Sequence, residues 1–245
     1  MERNAVRGPS VLVVSDSHGT PYVGRSYAAM LADMLASRPI PASVRLVSFS
    51  GIPLAKWADQ LPGILADPYD VVVLQYGNAD VHPRVRLAFR EAVRRVTGIK
   101  LRDTWFQVPP RFGPKFVAKF PFQVLKGVLV AAMGPETFTS VDRLVDLFRE
   151  ARCRLRRGTV FIAVPLFPVR PWLYGSSHNA MVAEFNRRLQ AEFGTEVLNV
   201  PPLSAYMSDG FHWAEEFHLK LAQQLSERIP LSAADQAGAA AGGAT

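Results

Sequence analysis

A doubly wound α/β fold with a parallel central sheet is predicted by three features of this 245-residue sequence. Short runs rich in β-branched apolar residues recur along the chain, as strands buried on both faces require. Between them the apolar spacing switches to a helical rhythm, so that strands and helices alternate. The first three runs each close in small polar residues or a glycine, which places turns at one common edge of the sheet.

The first run, Val11-Leu12-Val13-Val14, is cut by Ser15-Asp16-Ser17-His18-Gly19. From about Arg25 a helix carries Tyr27, Met30, Leu31 and Leu35 on one face. Ser17 then stands at the carboxyl end of a parallel strand and near a helix N-terminus, where backbone N–H groups stabilise negative charge. The same polar residues also make ordinary helix caps. Residues 43–49 read as a second strand closed by Ser50-Gly51, with Leu54, Trp57, Leu61, Ile64 and Leu65 on one face of a following helix. Residues 70–76 form a third buried strand closed by Gly77-Asn78-Ala79-Asp80, and a helix is expected over about 83–96.

From 97 to about 138 the rhythm breaks. Five prolines interrupt it, and Trp105, Phe106, Phe112, Phe116, Phe120 and Phe122 interleave with basic residues. This is an inserted cap or lid, too apolar for a disordered linker. The pattern resumes with a helix over 141–156, a strand over 160–164, a helix over 177–193, a short last strand over 197–200 and a final helix over 214–228. Residues 1–232 are read as one domain and the alanine- and glycine-rich 233–245 as a disordered tail.

The net charge of +7 is local in origin. Between 84 and 126 eleven basic residues face two acidic ones, a balance of +9, so the remainder is at −2. The basic character is a surface and not a property of the fold. The single cysteine, Cys153, excludes an internal disulfide framework and reads as an incidental thiol. The longest apolar run near the middle, 128–133, is too short to cross a bilayer, and no apolar run precedes the first strand. No membrane span, no signal peptide and a cytoplasmic location are therefore expected.

Chemistry is carried by a constellation at the two ends of the chain. Ser208-Asp209-Gly210-Phe211-His212-Trp213 stands just before the last helix. An aspartate and a histidine three apart converge on a tight turn, the carboxylate fixing the imidazole tautomer that a base needs to take a proton from a serine. Alone, Asp209 and His212 are also compatible with a helix-capping turn. Together with Ser17 and the glycines Gly51 and Gly77 at the ends of strands, they converge on the sheet edge where ligands bind.

These blocks resemble the SGNH hydrolases, also called GDSL-type esterases and lipases. Ser15-Asp16-Ser17-His18 is similar to the nucleophile block and Ser50-Gly51 to the glycine block. Gly77-Asn78-Ala79-Asp80 is similar to the Gly-x-Asn-Asp block, and Asp209-Gly210-Phe211-His212, followed by Glu216, His218 and Leu219, to the closing block. The resemblance implies a three-layer α/β/α flavodoxin-like fold with a parallel central sheet; it covers the core, and the inserted basic and aromatic cap at 97–138 lies outside it. It implies Ser17 as nucleophile, His212 as general base and Asp209 as the group that orients it. The oxyanion hole would be built from the N–H groups of Ser17 and Gly51 and from Asn78. Asn78 stands one residue before the family's asparagine position, which holds Ala79 here; loss of one oxyanion donor costs about 10²–10³ in turnover. His18, Gly77 and Arg84 are assigned to substrate binding, Arg84 as a clamp for an anionic group or else a solvated arginine at a helix start; His18, His82 and His178 read as structural or binding-surface residues and not as catalytic ones. The implied activity is ester or thioester hydrolysis, or acyl transfer, through an acyl-enzyme without metal or organic cofactor.

Two other readings use the same residues. Asp16, His18 and Asn78 also resemble metal ligands of the calcineurin-like metallophosphoesterases, whose bridging Gly-Asp and downstream Gly-His-x-His blocks this chain does not contain. A catalytically degenerate member of the fold would only bind a partner. The basic segment suits an acidic carrier protein bearing an acyl chain, an anionic membrane surface or a phosphate-bearing acyl thioester, beside a small-molecule acyl substrate. Nucleic acid is not expected, since no nucleic-acid-binding module surrounds the segment. The bland alternative is a helical cap with solvated charges.

Overall fold

In a computed structural model of the chain the described residues are 7–20, 24–101, 107–170, 176–200, 202–203 and 205–231. Trp105, Phe106 and the tail from 233 lie outside them.

Four strands form one sheet: β1 (Ser10–Ser15), β2 (Ser43–Ser48), β3 (Val71–Gln75) and β4 (Val160–Ala163), in the order β2-β1-β3-β4, all parallel. Their β-branched residues alternate between two cores. Leu12, Val14, Val72 and Leu74 point into one, shared with α6 (Val141–Arg154) and α7 (Ser176–Phe193) through Leu144, Phe148, Phe185 and Leu189. Val11, Val13, Val71 and Val73 point into the other, shared with α1 (Tyr27–Ala36) and α8 (Glu215–Arg228) through Leu31, Leu35, Phe217 and Leu221. Three layers result, as predicted. β2 is an edge strand and half exposed, whereas β3 is buried throughout.

The register decides where the loops meet. Ser15 is paired with Ser48 on one side and Gln75 on the other, so the chain leaves the sheet at one level after β1, β2 and β3. Strand order reverses between β1 and β3, and such a switch point opens a crevice at the carboxyl ends of the strands.

Several elements differ from the sequence expectation. The helix expected across 54–65 is broken into 3-10 turns at Leu54–Lys56 and Ala58–Gln60 and a single turn, α2 (Leu61–Ile64). Gly63 and the prolines Pro53 and Pro62 weaken a continuous ladder there. The strand expected over 197–200 is reduced to one bridge, Val197 to Ala163. After β3 come a short α3 (Asn78–Val81) and then α4 (Leu87–Thr97). Most of the described insertion is one helix, α5 (Pro114–Met133), which runs through Pro121. Helix formation thus joins apolar runs that look short in sequence, and α5 is long and apolar enough to cross a bilayer by length and composition, contrary to the expectation.

Candidate active site

β1 ends by delivering Asp16 and Ser17 into a 3-10 turn, Ser17–Gly19. Asp16 is its cap: the carboxylate accepts the His18 N–H at 3.0 Å and lies 2.8 Å from His18 Nδ1. Its second oxygen accepts from Asn78 Nδ2 at 3.0 Å. Burial alone would raise the Asp16 pKa, but the charge and hydrogen bonds of His18, with the Asn78 amide, outweigh it and hold the carboxyl below its usual value. The polar block after β1 therefore does cap a turn, and that turn sets Ser17 at the sheet edge.

The last loop brings the other partners. Asp209 accepts the N–H groups of Phe211 (3.1 Å) and His212 (3.0 Å) on one oxygen. Its other oxygen lies 2.5 Å from His212 Nδ1. Gly210 makes this tight turn possible with φ at 62°. Burial pushes the Asp209 carboxyl up, yet the His212 hydrogen bond and charge and the two backbone donors bring it below its ordinary value. The carboxylate stays ionised and fixes the imidazole through Nδ1. Trp213, next in the chain, stacks on His18 with ring centroids 4.1 Å apart, which ties the first and last loops together.

Ser17, Asp209 and His212 line one cavity of about 380 Å³, with Gly51, Asn78, Ala79 and Arg84 also on its wall. Gly51 sits at φ 69° in the loop after β2. Its neighbours are clamped by Tyr76, whose hydroxyl lies between the carbonyls of Phe49 (2.7 Å) and Ile52 and accepts the Trp57 indole N–H at 2.9 Å. Asp80 braces the same loop through the N–H groups of Leu54 (2.8 Å) and Ala55 (3.4 Å) and the Thr139 hydroxyl (2.7 Å). Burial is the largest influence on Asp80 and leaves its pKa raised.

Not all predicted positions face this cavity. Gly77 packs away from it: a Cβ there would lie 2.8 Å from Leu144 Cδ2, and its φ is 128°. His18 is buried between Asp16 and Trp213 and borders only a small hollow that it shares with Ser17 and His212. Arg84 reaches the wall with its guanidinium 3.3 Å from the centre of the Phe138 ring. Asp16, His18 and Asn78 are spent on one another, and among the described residues no three His, Cys, Asp or Glu side chains converge to hold a metal ion.

Sequence reasoning missed the polar group behind the cavity. Lys126 is buried with Nζ 2.8 Å from His82 Nε2, and His178 lies beyond, its ring centre 5.8 Å from that of His82. Burial, then the charges of Lys126, His178 and Arg84, drives His82 well below its ordinary pKa. Gln123 and Lys126, the two polar side chains in the otherwise apolar stretch 120–133 of α5, were the available signal.

No protein-family model matches the sequence, and no curated protein matches it. Solved structures do match. The lipase/acylhydrolase from Enterococcus faecalis aligns over 90% of this chain and 95% of its own, at 12% identity and a TM-score of 0.54. The acetyl xylan esterase AlAXEase aligns over 90% and 100%, at 11% identity and 0.52. A member of the lipolytic G-D-S-L family from Veillonella parvula aligns over 89% and 96%, at 11% identity and 0.51. The chain has the α/β/α fold of the SGNH, or GDSL-type, hydrolases, the fold that the four sequence blocks imply.

Proposed function

We propose that the protein is an ester or thioester hydrolase of the serine-nucleophile type, working through an acyl-enzyme. The observation that carries this reading is the 2.5 Å Asp209–His212 contact on the wall of the cavity that also exposes Ser17 and Gly51. His212 Nε2 takes the Ser17 hydroxyl proton as Oγ attacks the acyl carbon. The oxyanion that forms is held by the N–H groups of Ser17 and Gly51, neither of which is engaged by another described residue. Collapse expels the alcohol or thiol, which leaves with the proton from His212. Water, deprotonated by the same imidazole, then attacks the acyl-enzyme and frees the acid and Ser17. An alcohol or thiol acceptor entering in place of water would make the same machinery an acyltransferase.

The three N–H and amide donors of the family pattern are not all available in the same form. The Asn78 amide already serves Asp16, and the wall position after it holds the Ala79 methyl. The hole then rests mainly on two backbone donors, which fits a slow enzyme.

The test is intact-mass analysis after a fluorophosphonate probe. Wild type is expected to gain one phosphonyl adduct at Ser17, and Ser17→Ala and His212→Ala none. No adduct on wild type overturns the proposal. In that case, metal-dependent phosphodiesterase activity lost in Asp16→Asn would assign the metallophosphoesterase chemistry.

A further inference from the structure

Helix α5 is amphipathic in the reverse sense. Toward the domain it turns Gln123 and Lys126, both buried, beside Phe116 and Val130. Its outward side carries Val117, Phe122, Leu125 and Val128, exposed by 57, 53, 48 and 59%. A helix that only capped the core would bury such residues and solvate its polar ones. Single exposed apolar residues need no explanation, but a file of them along one helix marks a docking face.

Both ends of α5 return to the same body. Ser208 N–H donates to Pro110 O at 2.9 Å just before the helix, and Phe138 N–H to Asp80 O at 3.1 Å just after it. A helix pinned this way, about 30 Å long, lies along a surface rather than through a bilayer. α4 begins where α5 ends, Leu87 N–H donating to Glu136 Oε2 at 2.6 Å. α4 buries none of its residues, and Arg94, Arg95 and the nearby Lys100 are exposed.

We propose that the outward face of α5, with Arg94 and Arg95 of α4 and the adjoining Lys100, docks the protein on an anionic lipid bilayer. Phe122, Leu125 and Val128 enter the boundary of the acyl chains, and the arginines and lysines meet the headgroups. A second copy fits this face poorly, because it would bring the same +9 segment against itself. An acidic carrier protein would supply the charge, but the apolar file offers its polar surface nothing to pair with. Lys115 and Lys119, in the first two turns of α5, line the catalytic cavity, so an acyl chain leaving the bilayer would enter beside Ser17. That last step rests on the proposed hydrolase activity; the docking does not.

The experiment is flotation with vesicles of phosphatidylglycerol and phosphatidylcholine, and with phosphatidylcholine alone. Wild type and Ser17→Ala are expected to float with the anionic vesicles and to stay in solution with the neutral ones. The combined variant Val117→Gln, Phe122→Gln, Val128→Gln is expected to lose partitioning at least about tenfold. Arg95→Gln with Lys100→Gln should lose roughly fivefold per charge removed. An unchanged circular dichroism spectrum and an unchanged rate on a soluble short-chain ester report that the triple variant is folded. Wild type left in solution with anionic vesicles overturns the proposal, as does a triple variant that floats like wild type. A wild-type dimer that the triple variant dissolves also overturns it, assigning the face to a second copy. Because flotation is read on Ser17→Ala as well, docking and hydrolysis fail separately.

Discussion

The Asp209 carboxylate makes three hydrogen bonds within four residues of chain, which is why a spacing of three was enough to reveal the pair. In the proposed mechanism it holds one imidazole tautomer and faces the imidazolium charge as it forms. Asp209→Asn keeps the shape and removes the charge, so kcat is expected to fall about 10³–10⁴-fold with KM little changed and the far-ultraviolet spectrum intact. A fall of less than tenfold would show that His212 is oriented by something else. Asn78 was less legible, because the partner a buried amide chooses is set by tertiary neighbours; in sequence it is only an asparagine near a glycine. With that amide committed to Asp16, the adjoining wall position becomes the informative one. Ala79→Asn is expected to add an oxyanion donor and raise kcat about tenfold or more. An unchanged rate, measured on the same soluble ester, would mean that the hole is already complete.

Strand–loop units, more than single residues, were what the sequence displayed. β1 and β3 were plain because runs of valine and leucine buried on both faces have few other readings, and Ser17 and Asn78 follow directly from where those strands stop. Helices were harder. The stretch 54–65 has helical apolar spacing that its prolines and glycine do not let the backbone honour, whereas α5 continues through Pro121, whose exposed position lets water meet the carbonyl that loses its donor. Two glycines that looked alike in sequence part company at this scale. Gly51→Ala meets nothing within 4 Å, so its cost is the left-handed backbone alone, about 1–2 kcal/mol, with the N–H kept and kcat nearly unchanged. Gly77→Ala adds a clash with Leu144 to an unfavourable φ and should cost roughly 2–4 kcal/mol. Urea unfolding of the two variants separates them; equal costs would show that the β3 loop shifts freely. The Tyr76 clamp acts on the same loop: its hydroxyl, kept protonated as burial pushes its pKa up, holds the carbonyls on either side of Ser50-Gly51. Tyr76→Phe is expected to lower kcat about tenfold while leaving fluorophosphonate labelling at Ser17 in place.

Across the whole molecule the layers are joined by buried histidines as well as by apolar contacts. His218 on α8 accepts the Tyr27 N–H at the start of α1 on its Nδ1, at 3.2 Å, so it must be neutral there. Burial, with the charges of His18 and His212 adding, brings its pKa down to about 3. His178 on α7 is brought down to about 4, again by burial first and with the Lys126 charge adding, against an opposing backbone hydrogen bond at Val81. In the unfolded chain both return to about 6.5. The unfolded state therefore binds protons that the folded state refuses as pH falls below 6.5, and stability rises with pH across the window from about 4 to 6.5 and is flat above it as far as these groups are concerned. The depressed carboxyls of Asp16 and Asp209 act in the same direction but lower, their contribution being lost as pH falls below 3.8 through their folded values. The loss for His178 alone is on the order of 3 kcal/mol between pH 6.5 and 4, with burial relaxation making this an upper bound. Urea unfolding at steps from pH 7.5 to 4.5 should show that fall. His218→Asn keeps an acceptor for the Tyr27 N–H and removes the titration, so its stability at pH 7 drops by lost packing while its slope below 6.5 becomes shallower than wild type. Equal slopes would mean that His218 takes its proton in the folded state and that the α1–α8 layer is held without it.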